Sequence, residues 1–463
     1  MKKTFFSVSL AAGLLFPLCM NAQDTVPAQP AEAAPAEVAP VEAAPAEVAP
    51  AKTAPAQTAP AEVAPAKTAP AQTAPAEVAP AKTAPAQTAP VEVTPAKTAP
   101  AQTAPVETAA PAAPLTKAKL FAILPKEFCV TPDCFVHTPW GDGSMLLSCP
   151  NFADPTMPRI ILSISKDDQI RLWGMFPGNP NYKISTEPGK YRSLSGPMGM
   201  DFGPDGNLYV VDNIGWYGDP FADDPEFQMG RLVRIIVKNQ RPVGAEVVAY
   251  NMSHPNDVKV RGDKIYVSHS MIAKEGEGEN QTLISGVYCF PLDAKNVKVN
   301  NTVNDPQLIC TVRTTPPILY GLDGICFGND GEMYLGNFGQ GTIEKVTFDE
   351  NGKVAKQELF AQGPEMLTND GMWYDQENGH IYVCDFSRNA ILDIDKEGKI
   401  RVLAQDPDST GEDGSLDQPA ALILRGKQLI ISNFDNVTGE PHTNTAHDDF
   451  CTLSVVDLDG IVK

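Results

Sequence analysis

Residues 115 to 463 read as an all-β domain, a six-bladed β-propeller, and three observations carry that reading. A unit of two short β-rich runs around a tight turn recurs six times. The units are spaced as propeller blades are, and no long stretch between them has the apolar spacing of a helix.

The clearest unit is Gly321 to Phe338, GLDGICFGNDGEMYLGNF. Ile325, Cys326 and Phe327 form an apolar run, Asn329-Asp330-Gly331 turns the chain, and Met333, Tyr334 and Leu335 return it. Gly at the end of such a turn accepts the positive φ that a tight hairpin needs. The other copies are Asp133 to Cys149, Met198 to Asn213, Asn256 to Ser270, Asp370 to Phe386 and Gln418 to Phe434, the first being the weakest match.

Taken from their first residues, Asp133, Met198, Asn256, Asp323, Asp370 and Gln418, the units lie 65, 58, 67, 47 and 48 residues apart, with 45 residues after the last start. Hairpin-rich repeats of about 40 to 50 residues form four-stranded blades that bury their faces on their neighbours. The wider intervals require only longer loops, such as Gly215 to Gly230 and Lys274 to Gln281. Further strands of the blades fall between the units, among them Gly230 to Val237, Ser285 to Pro291 and Ala390 to Asp395. A many-stranded β-sandwich is the alternative, and the repetition of each unit as a whole favours the ring. Its closing strand comes from one terminus, either Leu120 to Leu124 or Thr452 to Leu458.

Two segments precede this domain. Residues 1 to 22 have the form of a signal peptide, with Lys2 and Lys3, an apolar stretch from Phe5 to Leu18, and a small-residue cleavage site ending at Ala22. That stretch is too short to span a bilayer, so export with removal of the signal is expected, to the periplasm, the cell surface or the medium. Cys19 raises lipid anchoring as an alternative. Residues 23 to 114 are almost wholly Ala, Pro, Thr, Val, Glu, Lys and Gln, and AEVAPAKTAPAQTAP occurs three times between Ala46 and Pro90. Proline every fifth residue and the lack of aromatics forbid a long helix or a core, so a disordered linker is expected. A tether, a spacer through a surface layer and a glycosylated stalk all fit this composition.

The chain carries a formal charge of −21. The first 114 residues hold six Lys and nine acids, which leaves 30 basic against 48 acidic residues on the propeller. Such a surface repels phosphate backbones and anionic lipid and disfavours nucleic-acid and membrane-surface roles. Small neutral or cationic ligands and metal cations are the partners it permits. Of the nine cysteines, Cys129, Cys134 and Cys149 lie close in sequence, and export would allow one bridge among them. No CxxC pair is present, so thioredoxin-like redox chemistry and zinc knuckles lack their signal.

The innermost strand of each blade lines a propeller's channel, so the residues just before those strands converge at one mouth. Four of the six starters are Asp or Asn, namely Asp133, Asn256, Asp323 and Asp370, with Asn369 beside the last. Carboxylates and amides gathered at one axial point make a site for a hard cation, Ca²⁺ or another divalent ion. Asp, Asn and Gly also enter turns, and loop chemistry is the alternative reading of any one of them.

On these motifs the chain resembles the gluconolactonase and senescence-marker-protein family of six-bladed, calcium-dependent propellers, with paraoxonases and strictosidine-synthase-like proteins as more distant kin. The resemblance implies metal ligation by Asp133, Asn256 within Pro255-Asn256-Asp257, Asp323, and Asp370 within Asn369-Asp370-Gly371. Pro-Asn-Asp-Val is similar to the paraoxonase form. The chain departs from the family in having Asp rather than Glu at Asp133, and Asp rather than Asn at Asp323, which makes the site more negative. Met198 stands where paraoxonases place a His, so their His-based chemistry has no carrier here. His254 lies two residues before Asn256, near where gluconolactonases have a substrate-contacting Arg, and is a candidate substrate-binding residue with Asn369. His137 and His269 fall in strand patterns and His380 in a turn. His442 and His447 lie in the polar loop from Thr438 to Asp449, which is either mobile or a cover for the channel mouth.

The expected chemistry is hydrolysis of a sugar lactone or related ester, with the metal polarising the carbonyl and Asp370 directing water. No Gly-x-Ser-x-Gly elbow offers a serine nucleophile. The alternative is a non-catalytic propeller, displayed at the cell surface and presented to a partner by the linker.

Overall fold

The computed structural model describes residues 116–461 apart from 155, 179–194, 215–228, 437, 438 and 440. The expected signal peptide (1–22) and linker (23–114), and most of the loop from 215 to 230, lie outside these residues. Among the described residues there is no α-helix, and no helix is long and apolar enough to cross a membrane.

Six antiparallel sheets are arranged around one axis, each beginning at a strand that opens one of the repeated units. These inner strands are Phe135–His137, Pro197–Phe202, Pro255–Arg261, Leu322–Phe327, Met372–Tyr374 and Pro419–Arg425. Each packs on the next, and the last packs on the first, so the ring is closed. Three of the second strands, Leu208–Asp212, Met333–Asn337 and Ile381–Asp385, are buried at every position. A strand covered on both faces by neighbouring blades has no solvent side, so a continuous apolar run replaces alternation. Fully burying a side chain such as Val211 or Leu335 stabilises the fold by roughly 1.5–3 kcal/mol. The hairpin turns take the expected glycine geometry, with φ of 75° at Gly206 and 90° at Gly331.

Both termini contribute to ring closure. Thr452–Asp457 is the third strand of the sixth blade, and Lys119–Ile123 pairs antiparallel with it as the outermost strand. The second blade gains a fifth strand, Val297–Lys298, which runs parallel to Arg241–Met252.

Closure also decides which cysteines meet. All eight from Cys129 onward are free thiols, so the expected bridge among Cys129, Cys134 and Cys149 is not formed. Cys129 meets Cys149 and also Cys451, whose sulfur is 3.7 Å away, because the strand from the amino-terminal side docks against the last strand of the chain.

Candidate functional site

Four of the six blades present their first residue to the axis through a local irregularity. Register slips by a bulge between Pro197 and Met200, Pro255 and Val258, Leu322 and Ile325, and Pro419 and Ala421. A bulge re-aims the side chains at its centre, and here the re-aimed positions include Met198, Asn256 and Asp323. Hydroxyls pin these positions from adjacent strands. Ser268 Oγ donates to the Asp323 carbonyl at 2.6 Å, and Ser432 Oγ donates to the Asp133 carbonyl at 2.5 Å.

The glycines beside the starters have a different origin from turn chemistry. A Cβ on Gly199 would sit 2.5 Å from the Asp257 Cα, one on Gly324 2.6 Å from the Asp370 carbonyl, and one on Gly371 2.7 Å from the Ala420 carbonyl. Each faces the inner strand of the following blade, so the missing side chain is what lets neighbouring blades close around the axis.

The axial channel contains two cavities, of about 520 and 440 Å³, and Asp133, Asn256, Asp323 and Asp370 line both. The four form a girdle that divides the channel. Asn256 Nδ2 donates to Asp323 Oδ2 at 2.6 Å and to Tyr320 Oη at 3.2 Å. Asp370 donates a carboxyl hydrogen bond to Asp323. Burial pushes the Asp323 carboxyl up to about 8 despite the bonds it accepts. Asp370 is raised well above the carboxylate range by enclosure and then by the charges of Asp323 and Asp133, and Asp133 is raised by burial and then by Asp323 and Asp257. Like charges confined together hold their protons unless a cation neutralises them.

The donor set therefore fits a hard divalent cation: three carboxylates and an amide, all oxygen donors. Among the described residues, the ligand atoms of the three girdle carboxylates do not all lie within 4.8 Å of one another, which sets at least one back from the others.

The smaller cavity is the mouth. Met198, Phe338, Phe386 and Phe434 supply apolar walls, and Tyr320 and His254 supply polar edges. His254 is 2 % exposed, its Nδ1 has no hydrogen-bond partner, and burial lowers its pKa to about 4, so the imidazole is neutral at pH 7. His442 Nδ1 and Ser387 Oγ hydrogen bond at 2.8 Å, and Pro441 and His442 line the cavity. Of the described residues in the loop from Thr438 to Asp449, Pro441 and His442 are those that lie at the mouth.

Asn369 lines neither cavity. It is fully buried, with Nδ2 3.7 Å from Met366 Sδ and Oδ1 without a partner, so the geometry brings the other five candidates together and leaves Asn369 behind the blade surface. Sequence reasoning missed the aromatic wall, although three units end on the same residue, at Phe338, Phe386 and Phe434. It also missed Asp257, which accepts from Lys259 Nζ at 2.7 Å and from Ile325 N at 3.0 Å in the next blade.

Residues 185–407 match the family described as SMP-30/Gluconolactonase/LRE-like region. No curated protein matches the chain. Among solved structures, a luciferin-regenerating enzyme is similar at 12% identity, covering 75% of this chain and 96% of its own, with a TM-score of 0.45. Regucalcin, a calcium-binding protein from Agrobacterium tumefaciens, is 13% identical over 75% of this chain and 96% of its own, with a TM-score of 0.41. A gluconolactonase from Xanthomonas campestris is 13% identical over 76% and 98%, also at 0.41. The family match carries the assignment, and the three structures are likenesses only.

Proposed function

Since its propeller belongs to the SMP-30/gluconolactonase/LRE-like family, we propose that this protein is an exported, divalent-metal-dependent hydrolase that opens a sugar lactone or related cyclic ester. The observation that carries the reading is the girdle of Asp133, Asn256, Asp323 and Asp370 at the floor of the mouth cavity. Calcium is the cation these oxygens suit best.

When bound, the cation supplies polarisation of the ester carbonyl and charge to offset the oxyanion. The chain's own residues supply the rest. Asp370 opens onto the cavity and, once the cation has displaced its proton, would accept the proton of the attacking water. Asn256, held by Asp323 and Tyr320, keeps its amide oxygen available as a ligand. Neutral His254 offers one hydrogen bond to a substrate oxygen. The phenylalanine walls exclude water and take the apolar face of a small ring, and a mouth of about 440 Å³ fits a substrate of monosaccharide size.

The test is hydrolysis of a panel of sugar lactones and aryl esters, followed with calcium and after chelation. Turnover that disappears with EDTA and returns with calcium supports the reading. Calcium binding without turnover of any of them would leave a displayed binding module in its place.

A further inference from the structure

We propose that Asp417, Asp435, Asp448 and Asn444 form a second divalent-cation site, separate from the axial girdle, which fastens the loop at the channel mouth. Among the described residues, these three acids are the triad of potential ligand side chains whose donor atoms all lie within 4.8 Å of one another. Three stretches of the sixth blade meet there. Asp417 precedes the inner strand, Asp435 follows the second strand, and Asn444 and Asp448 come from the loop that leads to the third.

The cluster differs from an ordinary acidic patch because of its orphaned acceptors. Asp417 is 0 % exposed, and neither of its carboxylate oxygens has a hydrogen-bond partner. Asn444 is 1 % exposed, and its Oδ1 is also without a partner, while its Nδ2 donates to Asp435 Oδ1 at 3.3 Å. Buried oxygens are nearly always satisfied, and leaving one bare costs on the order of 1–3 kcal/mol. Here three bare oxygens belong to two neighbouring residues, and all are acceptors. Such a vacancy lacks a donor of positive charge, and an oxygen-only donor set with three carboxylates selects a hard cation of the calcium type.

The rest of the cluster is already arranged. Asp435 has a left-handed φ of 47°, and its Oδ2 accepts the Asp448 backbone N–H at 2.9 Å. Thr445 bonds Asp408, whose charge also reaches Asp417 and Asp448. His447 is the nearest basic group, with Nδ1 3.2 Å from Asp435 Oδ2, and contacts only that member of the triad. Between Asp435 and Asn444 the chain carries Pro441 and His442 into the mouth cavity. A cation drawing Asp448 and Asn444 onto Asp417 would hold that segment in place, tying mouth closure to calcium.

The experiment counts bound calcium by equilibrium dialysis on the full-length chain, with calcium alone as the probe. The Asp323→Asn/Asp370→Asn variant removes two of the girdle's three carboxylates and should retain one calcium per chain. Adding Asp417→Asn and Asp448→Asn should abolish that remaining binding. If the charge-reduced Asp417 variant fails to fold, Asp448→Ala, at a partly exposed position, should weaken the same calcium at least about tenfold, in keeping with affinity set by ligand charge. Calcium should also raise the Tm of the girdle variant. No calcium on the girdle variant, or one that is unaffected by the Asp417 and Asp448 substitutions, overturns the second site. Loss of binding only from the girdle substitutions would leave the axial reading standing alone, so the two failures are distinguishable.

Discussion

On the far side of the girdle, buried acids are settled by the protein itself. Asp257 accepts from Val258 N at 2.8 Å, from Lys259 Nζ at 2.7 Å and from Ile325 N at 3.0 Å, while Asp201 accepts from Val260 N at 2.7 Å. Both acids stitch one blade to the inner strand of the next. On the mouth side stand Phe338, Phe386 and Phe434, each just past the second strand of its blade, with His254, whose Nδ1 has no hydrogen-bond partner, and carboxylates whose charged neighbours are other carboxylates. The acids matched with cations and amides are structural cement. Those left against their own kind cost stability, which marks them as candidates for binding a cation.

That contrast can be broken by exchanging the two kinds of acid. The largest effect is expected from Asp323→Asn with Asp370→Asn, which should lower kcat/KM for lactone hydrolysis by roughly 10³-fold by removing cation and base together. The metal-free Tm at pH 7 should not fall, because both carboxyls already hold their protons there and Asn is their neutral isostere. Asp257→Ala should do the reverse. It leaves the partly buried Lys259 without its paired carboxylate and Ile325 N without its acceptor, and should cost about 3 kcal/mol in denaturant unfolding, with calcium dependence of turnover retained.

A pH series sharpens the same comparison. In the folded chain without metal, Asp323 holds its proton up to about 8, against an ordinary 3.8. Unfolding releases that proton anywhere between the two values, so stability contributed by protonated Asp323 is complete below about 4 and is lost as pH rises towards about 8. The Tm in EDTA should therefore decline across this window and recover on adding calcium. Asp417, pushed up to about 8 as well, adds to the slope, so Asp323→Asn should flatten it in part. The smallest effect is expected from His254→Gln, a rise in KM of about tenfold or less with kcat nearly unchanged, as for loss of one substrate hydrogen bond.

Much of the fold could be read from residues because its signals are local. Asp330-Gly331 with an apolar run on either side is a hairpin wherever it stands, and six such hairpins at blade spacing leave few architectures open. The girdle was legible for a related reason: Asp133, Asn256, Asp323 and Asp370 occupy the same place in their units, and the ring converts equal register into proximity. What stayed hidden depends on contacts that register does not encode. Asn369 is one residue from Asp370, yet the chain turns its side chain into the blade. Cys129 finds Cys451 only because the ends of the domain share a sheet. Asp417, Asp435 and Asp448 come from irregular segments of one blade, with no counterpart in the other units to mark them.

The central claim is that the mouth-side acids exist to hold a cation on the axis. Its most direct test is anomalous diffraction from crystals of the full chain grown with calcium. The account predicts a calcium peak between Asp133, Asn256, Asp323 and Asp370, with oxygen contacts of about 2.3–2.6 Å. A well-ordered girdle with Asp370 still hydrogen bonded to Asp323, and no peak between them at saturating calcium, would contradict it.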